Sequence, residues 1–394
     1  MPLSAIDEDG NPVDWWFMYK VSGKSTASDG SKNPTLDGKK VTGTEYLYFD
    51  ANTPGDQKLA LSSHHVDQDG ALPNTLAQLY GADAEANTHL GWFFYNDENP
   101  IDGKTNGARG HTKGVLAFDL GNDSAVWLVH SVPKFALKDE YGYPNTGKPN
   151  AQTLLCITLE SADVALALAH QMYTAQQPNV YLASAIPVDL ANQPDDWRVM
   201  LMQNQAASGS TPVAGTVPFL SKGGTKFTCM AKNKTWGLDF YNDLVGPTLD
   251  EDLDVETWEH DPTPGPLEAD KVHKIVETKD VDLTPLGIDL AWPEPDDHAK
   301  LAISDKVEQV HYICVGDINF TLAQRKRGGG TVGFMCEPLW SSISSILKPG
   351  SVTQMARVSP APAAITVPIK GNAKRPAKAK PAAAPKVKNP RRRS

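Results

Sequence analysis

The sequence predicts an α/β protein in two halves, and three observations predict it. A chain of 394 residues exceeds one ordinary domain and suits two. Short segments rich in aromatic and β-branched residues, bounded by Gly, Asp, Asn or Pro, are interrupted by a helical pattern, as in folds that mix sheet and helix. A block that begins His-x-Lys also occurs twice, 187 residues apart, once in each half.

In chain order, strands are expected over Trp15 to Lys20, Glu45 to Asp50, Gly91 to Tyr95, Gly114 to Asp119, Ala125 to Val132 and Thr153 to Leu159. A helix is expected over Ser161 to Gln176, where Val164, Leu166, Leu168, Met172 and Tyr173 recur at helical spacing. The polar break at Ala206 to Gly215 then divides a first half, residues 1–205, from a second, residues 206–350. The acidic, Pro-rich stretch at 246–266 reads as a surface insertion. Strand signals resume at Leu301 to Ser304 and Gln309 to Val315, and a short helix is expected over Trp340 to Leu347. Order is expected to stop at Pro349-Gly350, leaving 351–394 as a disordered basic tail.

Composition narrows the function classes. Hydrophobic residues make up 40% and charged residues 21%, so the bulk of the chain can bury a core. There is no apolar run of the roughly eighteen residues that a spanning helix needs, and no membrane partner is expected. The acidic N-terminus has neither a basic nor an apolar signal region, so the expectation is a cytoplasmic protein or one exported without a cleavable signal. Cys156, Cys229, Cys314 and Cys336 lie far apart with no CxxC pair; structural thiols are expected, with their disulfide state open.

The net charge of −10 conceals two opposite parts. Ten of the 37 basic residues lie in 370–394, where no acidic residue occurs; residues 1–369 therefore carry 27 basic against 47 acidic residues, a charge of −20. Such a body repels a polyanion, so any polyanion site must be local. The tail, through Lys374, Arg375, Lys378, Lys380, Lys386, Lys388, Arg391, Arg392 and Arg393, suits non-specific contact with DNA phosphates, or serves solubility or targeting.

The repeat carries the chemistry. HTKGVLAFDLGNDSAVWLVHSVPKF begins at His111 and HAKLAISDKVEQVHYICVGDINFTL at His298. Each runs from His-x-Lys through an apolar strand to an Asp (Asp119, Asp305), a turn, a second apolar strand and a small polar cluster. Those clusters contain His130 and Ser131 in the first copy, and Gly316, Asp317 and Asn319 in the second. On an extended strand, residues i and i+2 share a face, so His111 pairs with Lys113 and His298 with Lys300. If the halves meet about a pseudo-twofold axis, two imidazoles and two ammonium groups flank one cleft. One neutral imidazole can attack phosphorus, an imidazolium can protonate the leaving oxygen, and the lysines can hold the non-bridging oxygens. That chemistry requires no metal and no cofactor. It also favours acid, since one ring must be neutral and the other charged, near or below the free imidazole value of about 6.5.

These residues resemble the phospholipase D superfamily, whose pattern is His-x-Lys, four residues, Asp, then Gly-Ser-x-Asn. More closely, the chain resembles deoxyribonuclease II, through NPVDWWFMYK from Asn11, FFYND from Phe93, RGHTKGVLAFD from Arg109, VWLVHSVPKF from Val126, QTLLC from Gln152, CVGDIN from Cys314 and RGGGT from Arg327. The resemblance implies a phospholipase D-like pseudo-dimer and a metal-independent, acid-favouring endonuclease that cuts DNA to 3'-phosphate and 5'-hydroxyl ends through a phosphohistidine. It implies that His111 is the nucleophile and His298 the general acid, or the reverse. Lys113 and Lys300 would bind the scissile phosphate, while Asn319, Asp317 and Ser131 orient imidazoles or phosphate oxygens. His130 would assist or order its strand, and Asp305 fills the superfamily's Asp position. Three residues depart from the patterns: Leu301 replaces an aromatic, Asp119 comes one residue late, and Asp317 replaces Ser. Animal members are disulfide-bonded lysosomal proteins, and lysosomal residence is not expected here. A lipid-directed phosphodiesterase of the same superfamily and a non-catalytic DNA-binding protein acting through the tail are the alternatives.

Three other features read as structural. HHVDQD at His64 reads as a polar loop rather than a metal cluster, Gly328 to Gly330 as a flexible turn or a phosphate cradle, and Lys232 with Lys234 as a solvated surface rather than the lining of a DNA groove near Trp236.

Overall fold

The computed structural model describes residues 2–137, 140–258, 271–305 and 310–357. The first half forms an eight-stranded antiparallel sheet from β1 (Trp15–Lys20), β2 (Tyr46–Asp50), β3 (Ala60–Leu61), β4 (Leu90–Asn96), β5 (Lys113–Asp119), β6 (Ser124–His130), β7 (Gln152–Leu159) and β8 (Val180–Ala183). Its spatial order is β8-β4-β5-β6-β7-β1-β2-β3. The second half forms a nine-stranded sheet from β9 (Ala214–Leu220), β10 (Lys226–Lys232), β11 (Leu253–Thr257), β12 (Lys271–Asp282), β13 (Ala291–Pro293), β14 (Lys300–Ser304), β15 (Tyr312–Gly316), β16 (Gly329–Met335) and β17 (Leu347–Arg357). Its order is β9-β10-β16-β15-β14-β11-β12-β13, with β17 laid against β12. The described helices are few, so the mixed α/β composition is dominated by two sheets, and among the described strands only β11 and β12 pair in parallel.

Five strands repeat in the same order in chain and in space: β4-β5-β6-β7-β1 in the first sheet and β11-β14-β15-β16-β10 in the second. A helix follows the corresponding strand in each half, α2 (Ala162–Gln171) after β7 and α4 (Glu337–Ile346) after β16; α1 (Ala71–Leu76) and α3 (Trp197–Met202) have no such match.

The sequence makes these sheets because both faces of the central strands are apolar. In β1, Trp15, Phe17 and Tyr19 face one side and Trp16 and Met18 the other. The first set joins Leu301 and Ile303 of β14, Ile313 and Val315 of β15 and Val164 and Leu168 of α2 in one core shared by both halves. Trp16 and Met18 enter an outer cluster of the first half, whereas Ala302 and Cys314 enter an outer cluster of the second. The sheets thus pack face to face, with β6 against β15 and β7 against β14 and β15. That packing brings the starts of β5 and β14 towards one another.

Two expectations are corrected. The described part of the expected surface insertion, 246–258, is not an insertion: it contains β11, a central strand whose Asp254 and Glu256 are buried, while 259–266 lie outside the described residues. Composition misleads there because buried carboxylates are tolerated when they are hydrogen-bonded or kept neutral; Glu256 accepts the Thr278 hydroxyl, and burial raises its pKa. Order also does not stop at Pro349-Gly350, because β17 continues to Arg357 along β12. The rest of the expected tail, with all nine of its named basic residues, lies outside the described residues. The four cysteines are free thiols.

Candidate active site

Each His-x-Lys motif opens a strand, and each histidine is tied to the opposite half. The His111 N–H donates to the carbonyl of Gly328, the residue before β16, at 2.8 Å. The His298 N–H donates to the carbonyl of Ala151, the residue before β7, at 2.9 Å. Because β7 and β16 occupy equivalent places in the two sheets, these are reciprocal cross-links. The glycine run permits the closeness: a Cβ at Gly328 would stand 2.5 Å from the Gln176 carbonyl oxygen, and one at Gly330 would stand 2.6 Å from that of Met230. Gly328 to Gly330 are therefore neither a flexible turn nor a cradle, but the tightly packed seam that carries His111.

In the first motif, His111 Nδ1 lies 2.5 Å from the backbone oxygen of Asp317. A carbonyl only accepts, so Nδ1 carries the proton and Nε2 the lone pair. Burial first, and then the charge of Lys113, lowers the His111 pKa to about 3; Asp97 opposes the shift, and Lys300 and Arg327 add to it. The Lys113 ammonium donates to Asp97 Oδ1 at 2.5 Å and lies 3.7 Å from Glu98. The other oxygen of Asp97 accepts from Arg327 of the second half at 2.8 Å. Burial alone would raise the Asp97 pKa, but these neighbours, Lys113 foremost, hold it well below the ordinary carboxylate range.

The second motif has the same backbone and different neighbours. Lys300 donates to the backbone oxygen of His298 at 2.6 Å and has no carboxylate within ion-pair distance among the described residues. Burial, followed by repulsion from Lys113, brings its pKa down to about 7 against the pull of Asp297, Glu98 and Asp97. The Lys300 N–H donates to Thr153 Oγ1 at 3.4 Å, and the Thr153 carbonyl accepts the Ser131 N–H at the end of β6, the strand beside β5, so both motifs stand at the same edge of the packed sheets. The His298 ring lies 4.1 Å from Trp258, and its Nε2 is 2.6 Å from the Asn150 side-chain nitrogen. Lys24 donates to Asn150 Oδ1 at 2.8 Å, which turns the amide NH2 towards His298. Behind the motif, Asp297 accepts from Tyr19, Trp292 and the Ala299 N–H, anchoring the turn that carries His298.

Among the supporting candidates, Asp317 contacts the first motif twice, its carbonyl at His111 and its carboxyl at Lys113. Its Oδ1 accepts the Lys113 N–H at 3.2 Å, and burial pushes its pKa up to about 8, although the Lys113 N–H and the charges of Lys113 and Lys300 oppose this. Asn319 is buried, and its Oδ1 has no partner among the described residues. Ser131 donates to Gln152 at 2.6 Å and accepts the Thr153 N–H at 3.0 Å, bracing the end of β6. His130 is fully buried; its Nδ1 accepts the Val132 N–H, its Nε2 has no partner among the described residues, and burial with Lys113 lowers its pKa to about 3.

Asp305 is a correction. It follows the far end of β14, bonded to the Asp252 backbone and 3.7 Å from Lys274. Five residues of extended chain, about 16 Å, separate it from Lys300. Asp119 closes the opposite end of β5 in the same way, held by Asn87 and Asn122. Lys232 is a second correction. It is buried, not solvated, and donates to the carbonyls of Gln324, Arg325 and Arg327. Sequence reasoning missed Asp97, Arg327, Asn150 and Trp258 as site residues. Asp97 and Arg327 stand in FFYND and RGGGT, phrases noticed only as resemblance; Asn150 and Trp258 carry no sequence signal.

Comparison with known proteins gives the family of the chain. The profile of the family described as deoxyribonuclease II matches residues 4–350. A putative deoxyribonuclease-2 of Burkholderia pseudomallei is 39% identical over 366 residues, 91% of this chain and 97% of that protein. The deoxyribonuclease-2 of Caenorhabditis elegans is 32% identical, covering 87% of this chain and 92% of its own. The deoxyribonuclease-2-alpha of Rattus norvegicus is 30% identical, covering 88% and 93%. With a family match across nearly the whole chain and relatives aligned end to end, the chain belongs to the deoxyribonuclease II family.

Proposed function

We propose that this deoxyribonuclease II-family hydrolase cuts DNA internally, without a metal ion and preferentially in acid, through a phosphohistidine on His111. The observation that carries the reading is the His111 tautomer: Nδ1 is committed to the Asp317 carbonyl, so the Nε2 lone pair is available for attack. In the first step Nε2 attacks phosphorus, the bond to the 5'-oxygen breaks, and His298 as imidazolium gives that oxygen its proton. The His111 ring becomes cationic while Nδ1–H still points at a carbonyl dipole, which favours that charge. Water then attacks phosphorus and gives its proton to neutral His298. The P–N bond breaks, its electron pair returns to Nε2, and a 3'-phosphate leaves beside the 5'-hydroxyl product.

Lys113 and Lys300 supply the positive charge that a metal would otherwise bring to the non-bridging oxygens. Asp317, held protonated below about 8, presents an O–H where the wider superfamily has a serine. Asn319 adds an amide, and Ser131 with His130 supports the end of β6. The repeated five-strand order and the reciprocal cross-links support reading the molecule as a phospholipase D-like pseudo-dimer of residues 1–205 and 206–350. The charge of the basic tail supports reading it as a DNA-holding arm.

The test is plasmid nicking in EDTA across the acid and neutral range, comparing the parent with His111→Ala and His298→Ala. Activity abolished by EDTA, or kept by both variants, contradicts the mechanism. The sign of the pH profile follows from the charges. As pH rises through about 3, His111 loses its proton and kcat/KM increases; above about 7, Lys300 loses its charge and kcat/KM falls, followed by Asp317 near 8. A profile rising steadily through neutrality is incompatible with this assignment. Hydrolysis of phospholipid vesicles instead of plasmid would select the lipid-directed reading.

A further inference from the structure

Arg327 occupies the junction of the halves, one residue before the seam whose Gly328 carbonyl holds His111. Its Nε donates to the Arg109 carbonyl at 3.2 Å, and Nη2 donates to Asp97 at 2.8 Å. A guanidinium has five N–H groups, and none of the other three has a partner among the described residues. The side chain retains 19% exposure, in contrast to the buried Asp97 beneath it. Its base is rigid, because Lys232 binds the carbonyl oxygens of Gln324, Arg325 and Arg327 itself. One carboxylate therefore spaces two cations from opposite halves, taking Lys113 on one oxygen and Arg327 on the other.

We propose that Arg327 is a third phosphate-binding residue of the site, donating its uncommitted N–H groups to a non-bridging oxygen of the DNA phosphodiester that His111 attacks. The inference rests on the nuclease reading and adds to it a contact supplied by neither His-x-Lys motif. A planar fork already fixed on one edge by a carboxylate and a carbonyl presents its free edge at low entropic cost, which a lysine cannot reproduce. A purely structural Arg327 would only neutralise Asp97, and the two roles differ in what salt does.

The experiment measures binding of a duplex oligonucleotide to the full chain in the His111→Ala background, with Arg327→Met and Arg327→Lys added in turn, from about 50 to about 200 mM salt. Arg327→Met is expected to weaken binding by on the order of 10-fold and to reduce the log–log salt slope by about 0.9, the value for one lost phosphate contact on duplex DNA. Arg327→Lys is expected to restore the slope with part of the affinity. In the catalytically intact chain, Arg327→Met should raise KM more than Asp97→Asn does. An unchanged slope in Arg327→Met, or a loss that follows the melting temperature alone, overturns the proposal. If Arg327→Met does not fold, Arg327→Gln is read against Arg327→Lys in the same assay. A parent that binds duplex but never cuts it would sink the nuclease reading while leaving the Arg327 comparison decided by its slope.

Discussion

The two His-x-Lys corners have nearly the same backbone and opposite electrostatics. His111 and His298 each precede a central strand and each donate an N–H to the residue before the opposite half's fourth repeated strand. Lys113 then meets a buried carboxylate at 2.5 Å, whereas Lys300 has the His298 carbonyl as its hydrogen-bond partner and no carboxylate in ion-pair range among the described residues. Around the rings, His111 is fixed by a backbone oxygen and pressed by cations, while His298 lies against Trp258 and the Asn150 amide. The repeat thus places two equivalent sets of groups, and their neighbours give them different electrostatic surroundings. The cation-rich corner keeps its imidazole neutral, as a nucleophile requires. At the other corner the Asn150 NH2 points at His298 Nε2, so Nε2 accepts there and the proton of that ring sits on Nδ1, beside the Trp258 face.

That division is broken or upheld most decisively by removing the imidazoles one at a time. His111→Ala should lower single-turnover cleavage by on the order of 10^5 or more, since no other group forms the covalent bond. His298→Ala should cost about 10^2 to 10^4, the range for a lost general acid. A substrate with sulfur in place of the 5'-bridging oxygen has a leaving group that needs no proton. It should restore most of the His298→Ala rate and almost none of the His111→Ala rate. Rescue of the other variant would exchange the roles of the corners.

The lysines extend the contrast to stability. Lys113→Met leaves Asp97 buried with Arg327 alone and should destabilise the fold by about 3 kcal/mol. Lys300→Met removes a buried cation that has no ion-pair partner among the described residues, and should instead stabilise by about 1–4 kcal/mol while abolishing cleavage. The sign with pH is fixed. The folded pKa of Lys300, about 7, lies below the unfolded value of about 10.4, so the unfolded chain binds more protons in that interval and parent stability rises with pH across it. Lys300→Met should lack that rise, and its advantage over the parent should be greatest below about pH 7. Denaturant melts at acid and alkaline pH measure both quantities; equal destabilisation by the two substitutions would mean that the corners are electrostatically alike.

What the sequence disclosed follows the same division. The strands that carry the motifs were legible because aromatic and β-branched runs fill both faces of β1, β5, β6 and β7, and His-x-Lys stands at the head of its strand in each half. The partners that distinguish the halves were not. Asp97 acquires its role from Lys113, sixteen residues on, and from Arg327, which only the face-to-face packing of the sheets brings near. Asn150 and Trp258 reach His298 from two different loops. The central strand β11 was hidden because its buried Asp254 and Glu256 look solvated in a linear reading. Local pattern reports which residues form a strand; long-range pairing decides what charge they experience.

The smallest expected effect concerns the residue at which the superfamily pattern and the coordinates part company. Asp305 completes the spacing His-x-Lys, four residues, Asp, and the resemblance alone would count it among the supporting residues of the site. It lies instead at the opposite end of β14, its carboxylate 3.7 Å from a Lys274 side chain that is 39% exposed. A pair of that kind contributes about 0–1 kcal/mol, and its charge is separated from the cleft by a strand length of about 16 Å, beyond one Debye length at physiological salt. Asp305→Asn keeps the N–H bond to the Asp252 carbonyl, since that bond is main-chain. The nicking rate in EDTA should therefore stay within about 2-fold of the parent, while the same change at Asp97 uncouples Lys113 and Arg327. A fall of about 10-fold or more at Asp305 with an unchanged melting temperature would mean that β14 passes a shift from one end to the other. In that case the corner at His298 would be positioned by its strand as well as by Asn150, Trp258 and Asp297.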